Sequence, residues 1–248
     1  MTQRLIPVLS LDRSRRLVKT VSFGERTYVG DPFNVLRLFN EKEVDEICVV
    51  DIDATVDGRS PDYGFIRELA SECFMPMAYG GGITSAEQCD QIIRVGVEKV
   101  VLGAAATNPE LTLKASQSIG SQAIVACVDV KFVGGQLSCV THSASRTIDI
   151  SPIEYCLQLE QAGVGEIYLQ SVDRDGTRSG YEIDLVASIA KRVGVPVVAL
   201  GGAYDYEDML GVLKIGASAA ASGTAFTFIG RLRAVLITYP AFNADRQR

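Results

Sequence analysis

Two periods alternate along this chain. Leu5-Ile6-Pro7-Val8-Leu9 and Ile47-Cys48-Val49-Val50-Asp51-Ile52 are short, nearly continuous apolar runs, the pattern of strands buried on both faces. Six further strands are expected to begin near Pro76, Lys99, Ala123, Glu166, Pro196 and Ala219, making eight. Helical stripes lie between them. Pro32 suits the first turn of a helix whose apolar stripe is Val35, Leu36, Leu38 and Phe39. Ser85-Ala86-Glu87-Gln88 has capping-box spacing and leads into Cys89, Ile92 and Ile93. Asp205 opens a similar helix with Met209, Val212 and Leu213, and both helices run out at a glycine, Gly96 or Gly216. The polar stretch from Arg13 to Asp31 is too long for a simple connection and is a candidate functional loop.

The pattern is also repeated. Pro76-Met77-Ala78-Tyr79-Gly80-Gly81-Gly82 returns 120 positions later as Pro196-Val197-Val198-Ala199-Leu200-Gly201-Gly202. Glu46 pairs with Glu166, Asp53 with Asp173, Glu87 with Glu207 and Gly96 with Gly216, without a gap. Eight strand–helix units in a chain of 248 residues predict one domain over residues 1–248, a closed (βα)8 TIM barrel. Its two similar half-barrels would be approximately 1–120 and 121–248. A doubly wound open sheet would explain the alternation but not a half-chain repeat.

Composition narrows the class. The chain is 47% hydrophobic and 22% charged, with a formal net charge of −6, which argues against a broad nucleic-acid surface. No apolar run approaches the roughly 20 residues of a membrane span, and the start has no secretory apolar core. Six cysteines without C-x-x-C spacing, two of them (Cys48 and Cys127) inside strand-like runs, read as buried free thiols in a reducing cytoplasm. His142 is the only histidine and lies in a polar stretch, so it is expected to be solvent-exposed. A Ser-His-Asp triad or a histidine metal site is disfavoured, and no metal or cofactor is called for.

In a barrel of this kind reactive groups sit at the C-terminal strand ends. Those ends carry Ser10 and Asp12, Asp51 and Asp53, Gly80 to Gly82, Gly103, Asp129, Ser171 with Asp173 and Asp175, Gly201-Gly202, and Gly223-Thr224. Glycines there let backbone N–H groups approach an anion, although tight turns alone would also use them. Asp129 ends the apolar run Ala123–Val128, where desolvation raises a carboxyl toward acid–base use; capping a loop is the plainer alternative. Asp51 and Asp53 read as hydrogen-bonded loop supports. At the strand starts Arg4, Glu46, Lys99 and Glu166 would form a ring of alternating charge on the barrel floor, which ordinary surface ion pairing would also produce.

These residues together resemble the cyclase subunit of imidazole glycerol phosphate synthase along nearly the whole chain. The matching stretches include Arg4-Leu5-Ile6, Val18-Lys19, Gly30-Asp31-Pro32, Gly80-Gly81-Gly82-Ile83, Gly165-Glu166-Ile167, Asp173-Arg174-Asp175-Gly176-Thr177 and Gly201-Gly202-Ala203. The resemblance implies a half-barrel-repeat fold that joins ammonia to a phosphoribulosyl-formimino carboxamide nucleotide, closes an imidazole ring and expels an aminoimidazole carboxamide ribotide. That substrate is a small molecule with a phosphate at each end. The resemblance places phosphate binding at Gly82, Gly103 and Ala104 on one side and at Gly176, Gly202, Gly223 and Thr224 on the other. It implies a glutaminase partner at the N-terminal face, with Arg4, Glu46, Lys99 and Glu166 as the ammonia gate, and Asp129 and Lys19 as catalytic residues.

Ser10 departs from the pattern, standing where the family has its first catalytic aspartate. A hydroxyl does not hold and release a proton near neutral pH. Asp12 is no substitute, since residues two apart on a strand lie about 6.6 Å apart along it. The asparagine and hydroxyl residue of the first phosphate site are also missing, leaving Gly103-Ala104. An intact ammonia entrance with compromised cyclase chemistry resembles a branch associated with amidation of surface-polysaccharide sugars, where ammonia goes to a separate sugar amidotransferase. Asn40–Asp45, Cys73–Pro76 and Arg233–Pro240 look like that branch. The alternatives are a working cyclase of histidine biosynthesis and, less favoured, the sister sugar-phosphate isomerase, which also needs carboxylates on strands one and five.

Overall fold

The computed structural model describes residues 3–230 and 232–240. The outermost ends of the expected domain, residues 1, 2 and 241–248, lie outside the described residues. Eight parallel strands form the barrel: β1 (Arg4–Leu11), β2 (Ile47–Asp51), β3 (Met77–Gly80), β4 (Lys99–Leu102), β5 (Ile124–Val133), β6 (Glu166–Ser171), β7 (Val197–Leu200) and β8 (Ala219–Ser222). Each pairs with the next, and β8 closes on β1 with Arg4 opposite Ala219 and Ile6 opposite Ala221. Closure leaves no edge, which excludes the open sheet.

Among the described residues a helix of eight or more residues follows each of the first seven strands: α1 (Pro32–Glu41), α2 (Tyr63–Glu72), α3 (Ala86–Arg94), α4 (Pro109–Ile119), α5 (Pro152–Gln161), α6 (Ile183–Ala190) and α7 (Tyr206–Lys214). Their starts are set locally. Pro32 opens α1 behind the Asp31 cap, and Ser85 with Gln88 closes a full capping box on α3. Asp205 caps α7 by accepting from the Asp208 N–H. The apolar stripe of α1 is Pro32, Val35, Leu36 and Phe39; Leu38, expected on it, is exposed because it falls a third of a turn off that line. After β8 the described residues carry a small antiparallel pair, Phe228–Ile229 with Ala234–Val235, rather than another helix.

Alternation along the strands makes two cores. Outward residues pack under the helices. Inward ones, among them Ile6, Val8, Cys48, Ala78, Val101, Val125, Tyr168, Val198, Ala219 and Ala221, fill the barrel. The half-chain repeat has a steric cause at the glycine pairs. A Cβ on Gly81 (φ +118°) would lie 2.4 Å from the Asp51 carbonyl oxygen; one on Gly201 (φ +90°) would lie 2.5 Å from that of Ser171. Both halves therefore demand glycine at the same turn. Gly201→Ala is expected to cost on the order of 3 kcal/mol, combining the left-handed φ with a clash against fixed backbone, and urea unfolding measures it.

Two long connections extend the sheet upward at equivalent places. The Arg13–Asp31 segment is a hairpin, Leu17–Thr20 with Arg26–Gly30, whose first strand runs antiparallel to the end of β1 with Val18 opposite Ser10. After β5, Gln136–Thr141 pairs antiparallel with its own strand, Val140 opposite Asp129, and then with Arg146–Ile148. The hairpins raise walls around the C-terminal ends of β1 and β5.

Candidate functional site

Between those walls lies a cavity of about 230 Å³ at the C-terminal mouth. Ser10, Lys19 and Asp129 line it, as do Gly103-Ala104 and Gly223-Thr224. The structure thus brings the three expected catalytic positions to one space with two of the expected phosphate-type turns. Gly82, Gly176 and Gly202 lie outside that lining. The Gly82 N–H donates to Thr55 Oγ1 at 3.3 Å, and the Gly202 carbonyl accepts from the Gly180 N–H at 2.8 Å. Gly176, at φ +70°, lets its loop close on the Thr20 carbonyl, 2.1 Å from where a Cβ would stand.

Asp129 ends the inward row of β5. Burial pushes its carboxyl up to about 7, with neighbouring Asp175 raising it further and a contact from the Cys127 thiol opposing. Desolvation of the charged form dominates here, so the group exchanges a proton near neutrality. Lys19 comes from the hairpin wall, 3% exposed, and its ammonium donates to the Val8 carbonyl. Burial lowers it to about 8, against the pull of Asp175. Gly223 makes room for this lysine: a Cβ there would sit 2.8 Å from Nζ. On the opposite side a Cβ on Gly103 would meet nothing within 4 Å. One glycine turn therefore adjoins a cation, while the other faces open space.

Ser10 is half-buried at the mouth. Asp12 does not reach inward. It is buried in the loop, accepting from the Ser14 and Arg16 N–H groups and the Arg16 guanidinium, and these bonds hold its carboxyl below the usual range against the opposing effect of burial. Asp51 and Asp53 likewise support loops. Asp51 accepts from the N–H groups of Asp53 and Ala54 and from the two terminal guanidinium nitrogens of Arg59; Asp53 accepts from the Arg13 N–H and a two-pronged Arg26.

Arg26, Gln170, Asp175 and His142 also line the mouth. His142 corrects the expectation of an exposed residue. It is half-buried on the wall, Nδ1 3.2 Å from Thr141 Oγ1, in a turn where His142, Ser143 and Ala144 all have positive φ. The half-chain offset carried the signal, since position 142 falls 120 after Ser22 in the equivalent first wall. Cys127 is half-buried rather than fully enclosed, and its thiol is held well above the ordinary range by burial.

At the opposite end the four charged residues form a closed ring. Arg4 pairs with Glu46 and with Glu166, and Lys99 Nζ stands 2.9 Å from Glu46 Oε1 and 2.9 Å from Glu166 Oε2. The glutamate side chains are 3% and 5% exposed, the two cations about a fifth. The strand-start glutamates lie 120 positions apart, the offset of the half-barrel repeat, so the ring's two anions face each other across the barrel.

Fold and site define the class: a half-repeat (βα)8 barrel with a buried aspartate and a buried lysine in a mouth cavity and a charged ring on its floor. Residues 4–232 match the family described as histidine biosynthesis protein. The chain belongs to that family and is of the HisF type. It is 46% identical to the "Putative imidazole glycerol phosphate synthase subunit hisF2" of Pseudomonas aeruginosa over 97% of each chain. It is 42% identical to the "Putative imidazole glycerol phosphate synthase subunit hisF3" of Vibrio vulnificus, covering 96% of this chain and 93% of that one. Identity to the "Imidazole glycerol phosphate synthase subunit HisF" of Sulfolobus acidocaldarius is 38%, covering 90% and 89%.

Proposed function

We propose that this barrel is the ammonia-receiving subunit of a glutamine amidotransferase complex, a divergent paralogue that serves amidation of a surface-polysaccharide sugar. A glutaminase docks on the floor, and its ammonia enters through the ring of Arg4, Glu46, Lys99 and Glu166 toward the mouth. The observation that carries this reading is the pairing of a complete, closed floor ring with a serine at the end of β1. Selection for ammonia entry explains the first, and release from ring-closing chemistry explains the second. At the mouth, Lys19 beside Gly223-Thr224 suits one phosphate or other anion, whereas Gly103-Ala104 offers no side-chain donor to a second. Asp129 and Lys19 remain able to move protons near pH 7 to 8.

A functional cyclase is the second reading, favoured by the same Asp129 and Lys19. Turnover of the formimino substrate with ammonium salt separates the two: the amidation reading expects rates far below those of an authentic cyclase, and comparable rates would overturn it. The conduit has its own test. Lys99→Ala leaves two nearly buried glutamates with Arg4 as the one cation of the ring, so stability is expected to fall by roughly 3 kcal/mol, as when one partner of a buried pair is removed. In the complex, glutamine-fed turnover is expected to fall at least tenfold relative to ammonium-fed turnover.

A further inference from the structure

The ring is not the only closure on the barrel axis. Tyr168 lies two residues beyond Glu166 on β6, with its side chain on the same inward face. It is 1% exposed and heads the fully buried side chains by volume. Its interior neighbours are aliphatic or small: Ala78 on β3 and Ala219 and Ala221 on β8 leave room for a phenol where larger residues would not. The phenol O–H donates to Glu46 Oε1 at 3.2 Å. Glu46 precedes β2, and in the closed order of eight strands β2 lies four positions from β6, diametrically across the barrel. The aromatic side chain therefore spans the interior immediately above the charged ring and is bonded to one of the ring's members.

We propose that Tyr168 is the inner gate of the axial passage: its phenol bars the axis above the ring, and its hydrogen bond to Glu46 couples opening of the bar to opening of the ring. The inference rests on the ammonia-conduit reading. Ammonia that passes Lys99 and the glutamates meets the phenol next. Neutral ammonia can take over the Glu46 acceptor as donor and give its lone pair to the phenol O–H, so the latch is exchanged for bonds to the passenger without leaving a buried group unpaired. The bar also keeps water out of the interior between passages. Since no covalent step is involved, Tyr168 acts as a positioning residue.

Three thiols make the bar measurable. Cys48 is in the interior cluster with Tyr168 and is 1% exposed, while Cys89 on α3 and Cys156 on α5 are buried in the outer core between helices and strands. Labelling by methyl methanethiolsulfonate is expected to rise tenfold or more at Cys48 in Tyr168→Ala, with Cys89 and Cys156 unchanged. Tyr168→Phe, which keeps the ring and loses only the latch, is expected to leave Cys48 protected. Protection of Cys48 in Tyr168→Ala, or equal exposure of all three thiols, would overturn the bar. The coupling is read in the complex with its glutaminase and amidation partner, fed amide-15N glutamine in the presence of unlabelled ammonium. Both variants are expected to lower the 15N fraction of the aminated product severalfold. A fraction unchanged in both variants but lowered by Lys99→Ala overturns the gate and leaves the conduit standing. If Lys99→Ala leaves the fraction unchanged as well, the conduit reading fails and the gate with it.

Discussion

Ser10→Asp is expected to raise turnover of the formimino substrate with ammonium salt by roughly 10²-fold or more over the wild type. The estimate follows from what one positioned proton carrier contributes, typically 10²–10⁴-fold. On the proposed reading the other proton carriers are Asp129, at about 7, and Lys19, at about 8, both on the cavity that Ser10 lines. The backbone is also ready for the change. Ser10 is held in register between Val50 of β2 and Val18 of the hairpin, so a carboxylate introduced there projects from a strand end paired on both sides. The gain is expected to stop short of an authentic cyclase, because the turn at Gly103-Ala104 still lacks a hydroxyl for the second phosphate. Rates of wild type and variant with saturating ammonium, and KM against kcat for each, measure both points. A wild type already at full cyclase rate, unchanged by the substitution, would mean that the strand-one carboxylate is dispensable here and would restore the cyclase reading.

How much of this was legible beforehand depends on whether a feature is local or assembled. The (βα)8 plan was legible because the repeat constrains backbone: Gly81 and Gly201 are fixed by the same close approach to Asp51 and Ser171, and such a constraint leaves the same letter at the same offset. The floor ring was legible as a list of strand-start charges, but its closure was not. That Lys99 reaches both glutamates depends on barrel curvature, which no single segment encodes. Lys19 could be placed only in a long polar loop, since the hairpin register that carries it to the mouth is set by pairing with β1. His142 was assigned to solvent for a related reason. Polar neighbours describe a wall facing water on one side and a cavity on the other equally well. The glycines divide similarly: Gly103 and Gly223 look onto the mouth, whereas Gly82 and Gly202 are used for close packing, and composition does not distinguish the two uses. Tyr168 is silent in the sequence because a tyrosine fits any apolar strand; only the closed strand order shows that its hydroxyl crosses the barrel.

Asp129→Asn is expected to stabilise the protein at pH 8 while abolishing whatever proton transfer the mouth performs. The folded-state value of about 7 stands above the ordinary 3.8 of an unfolded aspartate. Below pH 4 the carboxyl is protonated in both states and burial is tolerated. As pH rises from about 4 toward 7, the unfolded chain ionises and the folded one does not, so stability drains away at about 1.4 kcal/mol per pH unit. Above pH 7 the loss is complete, on the order of 4 kcal/mol. Asparagine does not titrate. Its advantage is therefore expected to be small at pH 4.5, to grow through pH 6, and to level off at pH 8, where the melting temperature should be higher by several degrees. Thermal melts of both proteins across that range give the curve. Equal differences at pH 4.5 and pH 8 would mean that Asp129 ionises as an ordinary surface acid, and it would then lose its place as a proton carrier. The predicted curve also bears on the altered β1. A chain that had given up all chemistry at its mouth would gain by replacing this acid with a neutral isostere, so a measured penalty at Asp129 would indicate that the mouth still uses a buried proton even though Ser10 no longer supplies one.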